Sequence, residues 1–195
     1  MTLLVAVILI AGLAAALPLA ALRSDGAARV AGAGARAAER IVRTAFGIAM
    51  LAALALALVQ VVVVVLVSVF SVSVVWLQEG TAYLFACVFL GGAGAVFLTD
   101  GHVRVDVLSS GWSERRRAAV DLGGIALFLL PVCALIVIVS APWAARSWAA
   151  MERSGEPSGL HLVFVLKSFV PAFAVLMGLA GFARAERAAA TLRDG

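Results

Sequence analysis

Residues 100–106 bring together the side chains most able to perform chemistry: Asp100, His102, Arg104 and Asp106. On a helix His102 and Asp106 would share a face, and on a strand His102, Arg104 and Asp106 would do so. A metal site needs three or four converging ligands, and a catalytic base needs a nucleophile or a substrate pocket beside it. The sequence shows neither. We therefore predict no catalytic residue, metal or cofactor, and interpret the run as a salt-bridged cytoplasmic turn between two membrane helices.

The two histidines do not form a haem site. His102 and His161 are the only histidines, and the charge pattern described below assigns them to opposite faces of the membrane. The axial ligands of a four-helix cytochrome must meet inside one bundle. This removes most of the case for a haem protein.

Two charged residues at the ends of apolar runs could contact a substrate or a partner. Glu79 follows Trp76 and Gln78 at the start of one run, and Lys167 lies near the start of another, close to the same side of the membrane. An ionisable side chain at membrane depth is by default a functional hypothesis. Anchoring at the membrane interface explains both residues equally well, because a lysine can extend its charge toward the headgroups. Both interpretations stay open.

A patch of small residues predicts close helix packing. Gly91, Gly92 and Gly94 are followed by Ala95, which gives a Gly-xxx-Ala spacing. Such spacing lets another helix approach closely, including a helix of a partner subunit.

The amino-acid composition indicates that this chain is embedded in a lipid bilayer. Of its 195 residues, 64% are hydrophobic and 13% are charged, and its mean hydropathy is +1.12. A soluble domain of this length has too small a core for so many apolar residues, whereas lipid sets no such limit. Backbone groups in lipid must be paired internally, so we predict an all-α, polytopic membrane helix bundle. The net charge of +4, with no basic patch interleaved with aromatic residues, argues against nucleic-acid binding.

Four apolar runs are long enough to cross the membrane, which takes about 20 helical residues. They cover residues 44–77, 80–99, 122–145 and about 160–183. Pro171 lies inside the last run and predicts a kink there. Residues 2–22 form a further apolar run, which we interpret as an extra membrane helix; a cleaved or interfacial segment is the alternative.

The basic residues indicate the orientation. Arg and Lys number five in residues 23–43, none in 71–79, four in 100–117, two in 146–162 and three in 184–195. Since basic residues flank the cytoplasmic ends of spans, the first, third and last of these segments are predicted to be cytoplasmic, which places the C-terminus inside. Four tryptophans lie at predicted helix ends, where interfacial anchors are typical: Trp76, Trp112, Trp143 and Trp148.

Residues 23–43 form an Arg-rich arm. Arg29, Arg36, Arg40 and Arg43 share one helical face, as in a helix lying on the lipid headgroups. The predicted organisation is an extra N-terminal membrane helix (1–22), an amphipathic cytoplasmic arm (23–43), a four-helix domain (44–183) and a cytoplasmic tail (184–195).

Short motifs carry a resemblance to a known family. In order along the chain they are Trp76-Leu77-Gln78-Glu79, Tyr83-Leu84-Phe85, Leu90-Gly91-Gly92-Ala93 and Asp100-Gly101-His102-Val103-Arg104-Val105-Asp106. The likeness continues through Trp112-Ser113, Arg115-Arg116-Arg117, Asp121, Gly159-Leu160, Leu166-Lys167-Ser168 and Pro171. The chain resembles, over about residues 45–183, the small permease subunit of tripartite ATP-independent periplasmic (TRAP) transporters, the DctQ-like family. One departure stands out: members commonly carry Arg-Tyr before a Val-Phe pair, where this chain has Val67-Ser68.

The resemblance implies a multi-pass subunit of the bacterial or archaeal cytoplasmic membrane. Such a subunit binds a much larger, DctM-like permease, which carries substrate and sodium by an elevator-type motion. A DctP-like periplasmic solute-binding protein delivers the substrate, typically an organic acid. The small subunit would enlarge the fixed scaffold and help to dock the binding protein. Structural or partner-contact roles would then fall to Glu79, Gly91, Gly92, Gly94, His102, Arg104, Asp106, Lys167 and Pro171, and lipids would surround the anchors.

Other classes of protein stay open. The chain could be an accessory subunit of another membrane complex. A membrane enzyme using Asp100, His102 and Asp106 would need further polar residues around a shared cavity. An independent channel or carrier would need paired polar positions or an internal repeat at mid-membrane. The apolar spans show neither feature, so we predict a subunit that is not an enzyme.

Overall fold

The described part of the chain is mostly helical. The structure, a computed structural model, describes residues 2–99, 101 and 111–194. The helices are α1 (Thr2–Ala21), α2 (Asp25–Phe70), α3 (Val75–Leu98), α4 (Glu114–Gly124), a π-helical turn (Ile125–Leu129), α5 (Leu130–Ala149) and α6 (Val163–Asp194). The predicted all-α class is confirmed.

Four helical segments are long and apolar enough to cross a membrane, as predicted. They are Asp25–Phe70, Val75–Leu98, Glu114–Ala149 and Val163–Arg193. The third combines α4, the π-helical turn and α5. We call the end of the bundle that carries residues 150–162 the outer end, and the opposite end, near Thr99 and residues 111–113, the inner end.

Helix α2 contains both the predicted arm and the first span. It begins at Ser24, whose hydroxyl caps the helix by accepting from the Ala27 N–H, and it continues for 46 residues, roughly 69 Å, to Phe70. The helix does not break near Thr44, where the sequence changes from basic to apolar. The reason is packing: small residues on one face of the arm are buried, namely Ala31, Ala35, Ala38 and Val42. The buried face of the arm therefore continues without a break into the buried face of the first span.

Helix α6 is the centre of the bundle. It packs against α1, α2, α3, α4 and α5. Helices α2 and α3 also pack against each other, and α1 packs against α2, α5 and α6. Pro171 lies inside α6, which runs on past it to Asp194.

The small-residue patch on α3 is used within this chain. A Cβ added at Gly94 would lie 3.1 Å from the Leu176 carbonyl oxygen of α6, and one at Gly92 would lie 3.9 Å from the Ala49 Cβ of α2. The absence of side chains at these positions lets three helices approach closely. The packing surface predicted from the spacing thus faces α2 and α6.

Candidate functional site

Glu79 fastens the outer loop to α3. The loop, residues 150–162, connects α5 with α6. The Glu79 carboxylate accepts a hydrogen bond from the Ser154 hydroxyl and another from the Leu160 N–H, at 2.6 Å. A Cβ at Gly159 would lie 2.5 Å from the Ser154 Oγ and 2.8 Å from Glu79 Oε1. Only glycine leaves room at position 159 for this closure.

Lys167 fastens the same loop to α6. Its Nζ lies 2.5 Å from Glu152 Oε2, and the Ser147 hydroxyl donates to the same oxygen at 2.6 Å. The Lys167 ammonium also sits 4.6 Å from the centroid of the Trp143 ring, within the range of a cation–π contact. The Lys167 ammonium and the Ser147 hydroxyl hold the pKa of the Glu152 carboxyl below its ordinary value.

These two anchors form what we call the outer clamp: Glu79 with Ser154 and Leu160, and Lys167 with Glu152. Glu79 and Lys167 come from different helices and meet through one loop. The described hydrogen bonds of both side chains are with the loop itself. Exposed residues of the clamped loop, including Arg153 and Glu156, form its outer surface.

The predicted tryptophan anchors fall into two groups. At the outer end Trp148 donates from its indole N–H to the Ser168 hydroxyl at 2.8 Å and packs on Phe164 with ring centroids 4.5 Å apart. Trp76, beside Glu79 in sequence, is 53% exposed. Toward the inner end Trp112 stacks with the Arg116 guanidinium, 4.3 Å from its ring centroid. Such positions suit a ring that is apolar on its faces and polar at one edge.

Arg184 joins three helices at the inner end. It donates to the Asp121 carboxylate of α4 at 2.9 Å and to the Phe97 carbonyl of α3 at 3.1 Å. Its guanidinium also lies 5.2 Å from the Phe97 ring centroid. Asp121 was predicted only as part of a motif, and its partner was not predicted. The available signals in the sequence were an arginine at the end of the last apolar run, Arg184, and an aspartate at the start of the third, Asp121.

A second ion pair joins the arm to α6. Arg187 Nη2 lies 2.5 Å from Glu39 Oε1, and Glu39 lies on the buried side of the arm. The arginines of the arm are exposed, among them Arg29, Arg36, Arg40 and Arg43. Asp100, His102, Arg104 and Asp106 lie outside the described residues.

An apolar groove opens between α2, α3 and α6. It has a volume of about 670 Å³ and is lined only by apolar residues, among them Phe46, Ala49, Met50, Phe173 and Met177. A surface of this kind suits an apolar helix or a lipid chain and offers no ligand to a cation or a carboxylate. Within residues 2–99, 101 and 111–194 there is also no group of three metal-binding side chains.

Comparison with protein families identifies the family of this chain. Residues 56–191 match the family model described as "Tripartite ATP-independent periplasmic transporters, DctQ component". No curated protein and no solved structure matches. The matched range contains the outer clamp and both inner ion-pair arginines, and it leaves α1 and the arm outside.

Proposed function

This chain belongs to the DctQ family, the small permease component of TRAP transporters, and we propose that it scaffolds the large DctM-like permease and helps to dock the periplasmic DctP-like binding protein. In this role it supports sodium-coupled uptake of an organic acid or similar solute without binding the solute itself. It is a multi-pass protein of the cytoplasmic membrane with its inner end, and so its C-terminus, in the cytoplasm.

The outer clamp is the observation that carries the proposal. A docking surface must be held in one shape, because ordering a loose loop on binding costs free energy. Residues 150–162 are held by Glu79 from α3 and by Lys167 from α6. The loop therefore offers a binding protein a preformed surface at the outer end.

The small number of polar side chains in the spans supports a scaffold rather than a carrier. A sodium-coupled carrier must offer oxygen ligands to the cation and donors to the anion near mid-membrane. The groove between α2, α3 and α6 is lined by apolar residues, and the described ion pairs lie at the two ends of the bundle. The coupling site is thus expected on the large permease.

The apolar outer surface of the spans supports a membrane partner. Long side chains are exposed along α2 and α3, for example Leu54, Leu58, Phe85 and Phe89. Helices in lipid associate through van der Waals packing, so these faces suit contact with transmembrane helices of the permease as well as with lipid. The basic inner end supports the cytoplasmic assignment.

Reconstitution tests the proposal. The chain is placed in liposomes alone, with its candidate permease, and with both permease and binding protein, and uptake of labelled solute is followed under a sodium gradient. We expect uptake only with all three components. Sodium-driven uptake by the chain alone would refute the scaffold role. Failure to co-purify with a large permease would refute the partner assignment.

A further inference from the structure

The hairpin formed by α2 and α3 extends outward beyond Glu79. The two helices run antiparallel, and a Cβ at Gly91 of α3 would lie 3.8 Å from the Ala49 Cβ of α2. Glu79 is twelve residues outward of Gly91, and twelve residues outward of Ala49 is Val61. Val61 is therefore level with Glu79. Helix α2 continues for nine further residues to Phe70, which places its end roughly 13 Å beyond that level.

The level of Glu79 marks the outer edge of the hydrocarbon. Glu79 binds the polar outer loop. Lys167 and Arg184 of α6 are seventeen residues apart, roughly 25 Å, which is close to the ~30 Å thickness of the hydrocarbon. On α2, the about 20 residues that cross this layer end at Val63 when they are counted from Arg43, the last charged residue of the arm. Residues 64–74, which we call the hairpin tip, therefore project past the hydrocarbon.

The hairpin tip is apolar although it lies outside the apolar layer. No charged residue occurs between Arg43 and Glu79, and the only polar side chains of the tip are three serines. The side chains of Val69, Phe70 and Val72 are 70%, 63% and 46% exposed. A contiguous exposed apolar patch on the water side marks an interaction site.

The hairpin tip is held in one shape. Ser71 ends α2 in the left-handed conformation, with φ 52°, and the Val72 N–H donates to the Leu66 carbonyl six residues earlier, at 3.0 Å. This is the Schellman pattern of a well-formed helix end. The Gln78 amide donates to the Ser73 hydroxyl at 3.3 Å. The patch is thus preformed, which lowers the ordering cost of binding.

The chemistry of the patch selects between two partners. In the proposed function both the large permease and the soluble binding protein meet the outer end of this chain. The binding protein arrives and leaves, so a patch reserved for it would face water between encounters. Interfaces of permanent complexes are more apolar than those of transient ones. An uncharged apolar patch therefore fits the permanent partner, whereas Arg153 and Glu156 on the clamped loop suit the transient one.

We propose that the hairpin tip, centred on Val69, Phe70 and Val72, is a permanent docking site for the outer part of the large permease. The permease contributes an apolar, uncharged surface just outside the hydrocarbon. The inference rests on the proposed function and adds the surface through which the two subunits meet at the outer end. The outer end is then divided between a permanent contact at the tip and a transient contact at the clamped loop.

Co-purification tests the docking site. The full chain and its candidate permease are purified together in detergent, and the permease that stays bound after a fixed dilution is measured. We expect V69S/F70S to lower the retained permease about fivefold or more, as loss of central interface residues does. V69I/F70L keeps the patch apolar and should retain the permease. Both positions are exposed, so thermal unfolding of each variant chain alone should match the wild type.

Two results of this experiment have different meanings. Equal retention by V69S/F70S and the wild type would overturn the docking site and leave the proposed function standing. A wild-type chain that retains no large permease would refute the proposed function and the docking site together.

Photo-cross-linking identifies the neighbour of the tip directly. Benzoylphenylalanine replaces Phe70 in the complete transporter in liposomes, which is irradiated with and without the binding protein. We expect a cross-link to the large permease in both cases. The same group in place of Arg153 is the matched position on the clamped loop, where a cross-link should require the binding protein. Cross-links from position 70 only to the binding protein, or only to phospholipid, would overturn the permanent docking site.

Discussion

At the scale of single residues, Gly159 decides whether the outer clamp can close. The hydroxyl and Cβ of Ser154 and the carboxylate of Glu79 occupy the space that a Cβ at position 159 would need. Gly155 lies in the same loop, and a Cβ there would meet nothing within 4 Å. The two glycines therefore form a matched pair.

We expect Gly159→Ala to destabilise the loop, because overpacking a close contact typically costs about 1–3 kcal/mol. Gly155→Ala should have little effect. Hydrogen exchange of residues 150–162 measures the difference, with faster exchange expected only for Gly159→Ala. Equal protection in both variants would mean that the loop is not held as described.

The role of Glu79 can be tested by a substitution that leaves the volume of its side chain almost unchanged. Glu79→Gln keeps the shape of the side chain but weakens acceptance from Ser154 and Leu160, since charge-assisted hydrogen bonds are stronger than neutral ones. Exchange of the Leu160 amide should become several-fold faster. The exposed Glu156 supplies the control, and Glu156→Gln should leave the Leu160 amide unchanged. An unaltered Leu160 amide in Glu79→Gln would contradict the anchoring role.

Glu152 gives the clamp a pH dependence. The Lys167 ammonium and the Ser147 hydroxyl lower the pKa of Glu152 in the folded chain from its ordinary 4.5. Its stabilising contribution is therefore fully present above pH 4.5 and is lost as the pH falls through the lowered folded pKa. Fluorescence of Trp143, which lies against Lys167, should change below pH 4.5. Glu152→Gln should remove this transition, and a transition that persists in the variant would assign it to another group.

At the scale of elements, hydropathy and glycine spacing predicted the helices well but not their continuity. The four spans appear where the apolar runs are, because helix is the only structure that pairs every backbone group of an isolated segment in lipid. The arm was predicted to end at residue 43, where charge ends. The helix continues through that point because alanines at positions 31, 35 and 38 bury the same face that Val42 continues.

Gly94 tests the contact between α3 and α6. A Cβ at position 94 would lie 3.1 Å from a backbone oxygen that cannot rotate away. We expect Gly94→Ala to lower stability by about 1–3 kcal/mol. Gly47→Ala in α2 is the control, because its Cβ would meet nothing within 4 Å and alanine is the better helix former. Thermal unfolding in detergent should separate the two variants, and equal midpoints would refute the close approach.

At the scale of the whole molecule, the contacts that sequence analysis could not supply are those between distant segments. Glu79 and Leu160 are 81 positions apart, and Arg184 and Asp121 are 63 apart. Each charged residue was visible as an exception at the end of an apolar run. Its partner was not, because hydropathy places residues along the membrane normal and contains no information about which helices are neighbours.

The proposed docking surface at the outer end makes a prediction about charge. Arg153 and Glu156 are exposed on the clamped loop, and neither is part of the clamp. A binding protein that approaches the outer end presents a field of one sign to both, so charge reversal at the two positions should act in opposite directions. We expect Arg153→Glu and Glu156→Arg to shift the apparent KM for the loaded binding protein about threefold to tenfold in opposite senses, with smaller shifts at high salt.

The measurement is sodium-driven uptake by the complete transporter in liposomes, with Arg23→Glu at the inner end as the control. Assembly with the permease should be unchanged in all three variants, because none of these side chains lies among the spans. Equal shifts from the inner and outer variants would show a general charge effect and would remove the outer loop from the docking surface.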